Sequence, residues 1–165
     1  MKIINPLELD ILTDGERYTL DAKLKKLLFN EDCYIYVQPI INNLKPDFIV
    51  IGKDFGILII EVKDWSDDYL ISVNSQVVSC TDKKYKNPVA QISTYLNIVR
   101  SKLNGIFDFI DEQGNLTVNV NALIFYVNLT SETIIKYDDL VSTDVSVYDK
   151  RDLRQLSLAD LVKKI

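Results

Sequence analysis

The stretch from Pro46 to Trp65 (PDFIVIGKDFGILIIEVKDW) constrains the fold of this chain more than any other. It holds two apolar runs, Phe48 to Ile51 and Ile57 to Ile60, joined by Gly52-Lys53-Asp54-Phe55-Gly56. β-Branched and aromatic runs bounded by glycines read as strands, and a short link between two glycines reads as a hairpin loop. Folding the hairpin symmetrically about Asp54 sets its register: 51 opposite 57, 49 opposite 59, and Asp47 opposite Glu61. Side chains alternate along a strand, so Lys63 shares the face of Glu61. Two carboxylates thus face each other with an ammonium one step along. At about 5 Å and an effective dielectric of 20 the carboxylate repulsion is roughly 3 kcal/mol. A cation between them turns that liability into a site, and oxygen-only ligands suit a hard ion such as Mg²⁺. The plainer reading is turn chemistry at Pro-Asp and a solvated Glu-x-Lys ion pair at a strand end. The conjunction favours a site, because the charges close off runs long enough to be buried and fall in facing register.

The residue inventory removes whole classes of mechanism. The chain of 165 residues has no histidine, which excludes Ser-His-Asp and Cys-His triads and histidine-ligated zinc. Hydrolytic chemistry here must rest on carboxylates, lysine and a metal. Cys33 and Cys80 are too few and too far apart for a disulfide framework or a zinc pattern, so a reduced, cytoplasmic protein is expected. The N-terminus carries Pro6, Glu8 and Asp10 inside its apolar stretch, which argues against a signal peptide. The lack of eighteen consecutive apolar residues argues against a membrane span. Asn115-Leu116-Thr117 and Asn128-Leu129-Thr130 match the glycosylation sequon, but without a secretory signal both are read as chance. A net charge of −5 argues mildly against nucleic acid. Lysine clusters soften that objection: Lys23, Lys25 and Lys26 on one helix, and Lys83, Lys84 and Lys86, which are weak candidates for nucleic-acid contact.

Along the chain, Thr13-Asp14-Gly15-Glu16 opens a helix to about Phe29 with Leu20, Leu24, Leu27 and Leu28 as its apolar stripe. Thr-x-x-Glu is a capping box, which would turn Glu16 back on Thr13. Glu16 also lies one turn before Leu20, at the stripe's edge, where it can face the acidic pair instead. Tyr34 to Ile40 reads as a strand with an edge or bulge at Pro39. Tyr69–Val73 and Gln76–Cys80 read as a second hairpin, and Thr81–Asn87 as a polar connection. Pro88 starts a helix to about Asn104, whose core stripe is Val89, Ile92, Leu96, Val99 and Leu103. Gln91 and Tyr95, one turn apart, can reach a site together. Val118–Val127 reads as a buried strand. A short helix around Ile134–Leu140, a strand at Val145–Tyr148 and a helix from Ser157 complete the chain, which stops at Ile165 within a helical pattern.

Pro46-Asp47, thirteen residues, then Glu61-Val62-Lys63 resembles the PD-(D/E)XK nuclease signature. With Gly56-Ile57-Leu58-Ile59-Ile60 before the glutamate and Asp64-Trp65 after the lysine, it looks like the nuclease-related domain family within that superfamily. The Gly15-Glu16 pair near the start of the first helix and the Gln91-x-x-x-Tyr95 spacing on the helix after the lysine are similar to elements of these nucleases. The resemblance covers roughly residues 13 to 127. It implies an α/β fold of the restriction-endonuclease type, a mixed sheet flanked by helices with an α-β-β-β-α-β core. It implies cleavage of nucleic acid, DNA ahead of RNA, with Mg²⁺ or Mn²⁺ held by Asp47, Glu61 and the Val62 carbonyl. Lys63 would act on water and phosphate, and Glu16, Gln91 and Tyr95 would support them. Such domains are often fused to helicase or kinase-like regions, so residues 1–165 are expected to form one domain that can be the N-terminal part of a longer protein. A catalytically silent nucleic-acid-binding or partner-binding module on the same scaffold is the competing expectation.

Overall fold

The computed structural model describes residues 1–5 and 11–162. The acidic residues used above against a signal peptide, and the last three residues of the C-terminal helical pattern, lie outside the described residues.

β1 (Lys2–Ile4) is followed by α1, a helical run over 14–27. Within α1, Asp14–Tyr18 and Lys25–Leu27 are α-helical and Thr19–Leu24 is π-helical. Of the buried positions in and just after this run, Glu16, Leu20, Leu24 and Leu28 recur every four residues, with Gly15 and Thr19 buried beside them. In an α-helix that spacing drifts about 40° per step. The wider i→i+5 winding of the π segment cancels the drift and keeps all four on one face. Leu27 is only partly buried at the stripe's edge. Next come β2 (Cys33–Val37), β3 (Phe48–Gly52) and β4 (Gly56–Ser66). A small unit follows of β5 (Leu70–Val73), β6 (Val77–Cys80) and β7 (Lys84–Lys86). Then come α2 (Pro88–Asn104), β8 (Val120–Asn128), α3 (Ser131–Lys136), β9 (Ser146–Tyr148), α4 (Lys150–Gln155) and α5 (Leu158–Leu161).

Among the described residues, six strands form one mixed sheet in the order β1-β2-β3-β4-β8-β9, and β5-β6-β7 form a separate antiparallel sheet. The pairs β2–β3 and β3–β4 are antiparallel; β1–β2, β4–β8 and β8–β9 are parallel. The helix, three strands, helix, strand order (α1, β2, β3, β4, α2, β8) is the expected core. The sheet is covered on both faces, which is why its central strands are continuous apolar runs. Ile49, Ile57 and Ile59 pack with Ile92, Leu96 and Val99 of α2, whereas Val50, Leu58, Ile60 and Val62 pack with Leu20, Leu24 and Leu28 of α1.

The central hairpin has the expected register, Ile51 opposite Ile57 and Ile49 opposite Ile59. Its loop is tighter than expected, because Gly52 and Gly56 pair with each other and leave only Lys53, Asp54 and Phe55 outside the ladder. Phe55 folds back over Gly52, where a Cβ would lie 2.2 Å from the phenyl ring. Gly56 has φ +84°, and a Cβ there would lie 2.3 Å from the Asn119 carbonyl oxygen. Gly56→Ala should therefore cost about 2 kcal/mol or more in a denaturant melt, from strained φ plus displacement of the β8 approach.

Other expectations need correction. The strand expected over Tyr34–Ile40 stops at Val37, because Gln38 takes a left-handed φ of 46°. It lies inside the sheet between β1 and β3, not at an edge. The polar connection Thr81–Asn87 contains β7, with Tyr85 opposite Val78. The short helix begins at Ser131, earlier than expected, and gives way to a 3₁₀ turn at Asp138–Leu140. α4 was not expected; Asp149 starts it with a capping box to Asp152. No helix among the described residues is long and apolar enough to cross a membrane.

Candidate active site

Asp47, Glu61 and Lys63 occupy the face of the hairpin that α2 covers, at the end away from the loop. β3 begins at Phe48, paired with Ile60, so Asp47 stands one step before the ladder, opposite Glu61. Its carboxylate continues the ladder in place of backbone: Oδ2 accepts the Val62 N–H at 2.7 Å. The Asp47 carbonyl in turn accepts the Gln38 N–H at 2.8 Å, which ties this corner to β2. Glu61 is 1% exposed, and its Oε1 accepts from the Lys63 Nζ at 2.6 Å. Glu61 Oε2 has no hydrogen-bond partner.

Glu16 caps its own helix and also reaches beyond it, because a carboxylate has two oxygens. Oε2 accepts the Thr13 N–H at 2.7 Å and completes the capping box. Oε1 accepts from the Gln38 side-chain amide at 3.0 Å. Gly15 lets the start of α1 come this close: its N–H donates to Asp64 Oδ2 at 3.4 Å, and a Cβ on it would lie 2.7 Å from the Asp64 Cβ. The helix body lies on the far face of the sheet, so Glu16 reaches the cluster beside the start of β3.

From α2, Gln91 donates to the Tyr95 hydroxyl at 2.7 Å, and that hydroxyl donates to the Lys45 carbonyl at 3.4 Å. Gln91 also stands close enough to Glu61 to favour its charged form. All six residues singled out from sequence therefore converge from four places in the chain: α1, the start of β3, β4 and α2. Gln38 was missed. It is buried, left-handed, and bonded to both Glu16 and Asp47, yet a lone glutamine before a proline carries no sequence signal for this role.

Burial dominates the electrostatics of the two carboxyls, with charge repulsion second at Asp47. Burial of its carboxyl pushes Asp47 well above the usual carboxylate range, aided by the Glu61 charge and a hydrogen bond with Glu16, with Lys63 opposing. As a whole residue Asp47 is half-buried, but its carboxyl is the enclosed end, held against the β4 backbone. Burial likewise raises Glu61, while Lys63 and then Gln91 pull it back. Burial alone would lower Lys63; the charges of Glu61 and Asp47 outweigh it and leave the ammonium more firmly protonated than usual. Burial and then the Glu61 charge raise the Tyr95 phenol.

The cluster opens on a cleft of about 530 Å³ bordered by Thr13, Glu16, Asp47, Val62, Lys63, Trp65, Tyr69 and Tyr85. The donor set suits a hard divalent cation. Its charge would relieve the repulsion between Asp47 and Glu61, and Glu61 Oε2 is a buried oxygen awaiting a partner. Among the described residues no three acidic or thiol side chains form a metal cage by themselves. A cation would thus need a backbone oxygen such as the Val62 carbonyl, and water, beside the two carboxylates. Of the three lysines proposed for nucleic-acid contact, Lys84 and Lys86 are exposed and strand alternation turns them away from the Tyr85 face. Lys83 Nζ lies 4.9 Å from the Tyr85 ring centroid.

A mixed sheet that gathers two facing carboxylates and a lysine at the open end of its central hairpin has the architecture which the sequence motif implied. The chain belongs to the nuclease-related domain family, whose model matches residues 12–127. No curated protein sequence matches it. Among solved structures it is similar to a repair endonuclease from Pyrococcus abyssi, at 15% identity and a TM-score of 0.44, over 84% of this chain and 46% of that one. It is also similar to an EndoMS–dsDNA2 complex, at 13% identity and a TM-score of 0.37, over 78% of this chain and 43% of that one. The chain spans less than half the length of either.

Proposed function

We propose that this chain is a divalent-cation-dependent nuclease that hydrolyses phosphodiester bonds in nucleic acid, with DNA as the first substrate and RNA the second. One observation carries the reading: Asp47 and Lys63 border an open cleft, Lys63 donates to the buried Glu61 behind them, and the other Glu61 oxygen is left unpartnered. A cation at Asp47, Glu61 and the Val62 carbonyl, Mg²⁺ or Mn²⁺, supplies Lewis acidity towards phosphate and lowers the pKa of an attacking water. Lys63, kept protonated by its acidic neighbours, orients that water and offsets charge that develops at phosphorus. Glu16 holds a second acceptor at the cleft and Gln38 fixes its position. Gln91 and Tyr95 steady Glu61 from the α2 side and present an amide and a phenol to substrate or water. The two buried free cysteines suit a reducing, cytoplasmic setting. Further domains, a helicase among them, are the natural partners for supplying substrate.

Incubation of the purified chain with labelled linear, closed circular and single-stranded DNA and with RNA, with and without Mn²⁺, tests the reading. Cleavage that requires Mn²⁺ is expected. Binding without cleavage under every condition would replace the nuclease with a silent nucleic-acid-binding module.

A further inference from the structure

The cleft has a second wall that the hydrolytic reading does not use. Trp65 lies near the end of β4, Tyr69 just before β5, and Tyr85 at the centre of β7. The Trp65 and Tyr85 ring centroids are 5.4 Å apart at 52°, and those of Tyr69 and Tyr85 are 6.3 Å apart at 53°. The Tyr85 hydroxyl donates to Asp82 Oδ2 at 2.8 Å and lies 2.8 Å from the Tyr69 hydroxyl, which fixes the two rings. Core packing accounts for Trp65, which is 6% exposed. It also accounts for one side of Tyr69 and Tyr85, but both stay half-buried and border the same cleft as Asp47 and Lys63. An ammonium lies over each of two of these rings. Lys63 Nζ is 5.7 Å from the Trp65 ring centroid and Lys83 Nζ is 4.9 Å from that of Tyr85.

Half-exposed rings with an ammonium beside them suit the alternation of base and phosphate along one nucleic-acid strand. The Asp82 carboxylate beside the Tyr85 hydroxyl repels phosphate from that corner, so the ring is the part offered to a ligand. In a duplex every base face is already stacked and only base edges reach the grooves. An unpaired base has a face free for an aromatic side chain, and stacking of this kind tolerates any sequence. We propose that the Tyr69–Tyr85 wall binds an unpaired nucleobase, so that the strand entering this cleft is single-stranded: a free strand, a flap or a frayed end. The placement of its phosphate beside Lys63 rests on the nuclease reading above; the base site does not.

The chain has a single tryptophan, so the fluorescence of Trp65 reports on this wall directly. The Asp47→Asn protein is titrated in Mg²⁺ with an oligothymidylate of about 12 nucleotides and with closed circular duplex, and dissociation constants are taken from the quenching. The single strand should quench and bind at least about tenfold more tightly than the circle. Adding Tyr85→Ala should weaken single-strand binding about tenfold with little effect on the duplex, and Tyr85→Phe, which keeps the ring, should restore it. Equal affinity for circle and strand, absence of quenching, or indifference to Tyr85→Ala overturns the proposal. If Tyr85→Ala fails to fold, the strand-against-circle comparison on the unmutated wall still decides. Quenching by the single strand without cleavage by wild type removes the nuclease reading and keeps this one. Mn²⁺-dependent cleavage of strand and circle alike, unaffected at Tyr85, does the reverse.

Discussion

Asp47→Asn and Glu61→Gln should each lower Mn²⁺-dependent cleavage by about 10³-fold or more, while neither melts below wild type in a chelating buffer. Loss of activity without loss of stability separates an active site from a structural ion pair. The sign of the pKa shifts sets the direction of the stability change. Asp47 and Glu61 titrate above their ordinary values of 3.8 and 4.5. Folding therefore favours their protonated forms. That contribution is complete below the ordinary values and is lost as pH rises through the raised ones. At neutral pH the ionised pair works against the fold, so the isosteric amide leaves stability unchanged or raises it by up to about 1 kcal/mol. The gap between Asp47→Asn and wild type should widen as pH rises from the ordinary carboxylate range and then level off. Were the pair merely an edge salt bridge, neutralising Glu61 would instead lose a little stability.

Lys63→Met has the second largest expected effect, and here activity and stability fall together. The substitution keeps the aliphatic stem but strips the ammonium from Glu61, which is 1% exposed and then keeps only Gln91 beside it. Breaking a fully buried ion pair from one side costs about 3–5 kcal/mol. Lys63 retains 18% exposure, so water repairs part of the loss, and about 2–3 kcal/mol is expected at neutral pH. Cleavage should fall by about 10²–10⁴-fold. The double variant Lys63→Met/Glu61→Gln should recover most of the stability and none of the activity, since no charge is then left buried. Urea melts of the four proteins give the coupling; purely additive losses would mean that Lys63 and Glu61 do not act on each other.

The parts of this molecule legible in its sequence are those where local chemistry and long-range pairing agree. Two glycines bracket the central hairpin, so its symmetry alone gives the register that brings Asp47 opposite Glu61. Asn87 and Pro88 start α2 and its apolar stripe ends at Gly105, which makes both of its ends readable. What escaped depends on partners remote in sequence. β1 and β7 are three-residue strands, too short for a period, and exist because β2 and β6 supply their hydrogen bonds. The π segment of α1 shows only as a stripe that recurs every four residues. Gln38 reads as part of a strand, and only the folded chain shows that its left-handed turn aims the amide at Glu16. The aromatic wall draws Trp65 from β4, Tyr69 from the turn before β5 and Tyr85 from β7, a juxtaposition that no local pattern encodes.

The central claim is that Asp47 and Glu61 jointly hold the cation on which hydrolysis depends. Thermal melts of wild type, Asp47→Asn and Glu61→Gln, each with and without Mn²⁺, test it most directly. A ligand that binds only the folded state stabilises it by mass action, by about 2.7 kcal/mol at one hundred times its dissociation constant. A clear Mn²⁺-induced rise in the wild-type melting temperature is expected, and a much smaller one in both variants. Equal shifts in all three proteins, or none in any, would contradict it.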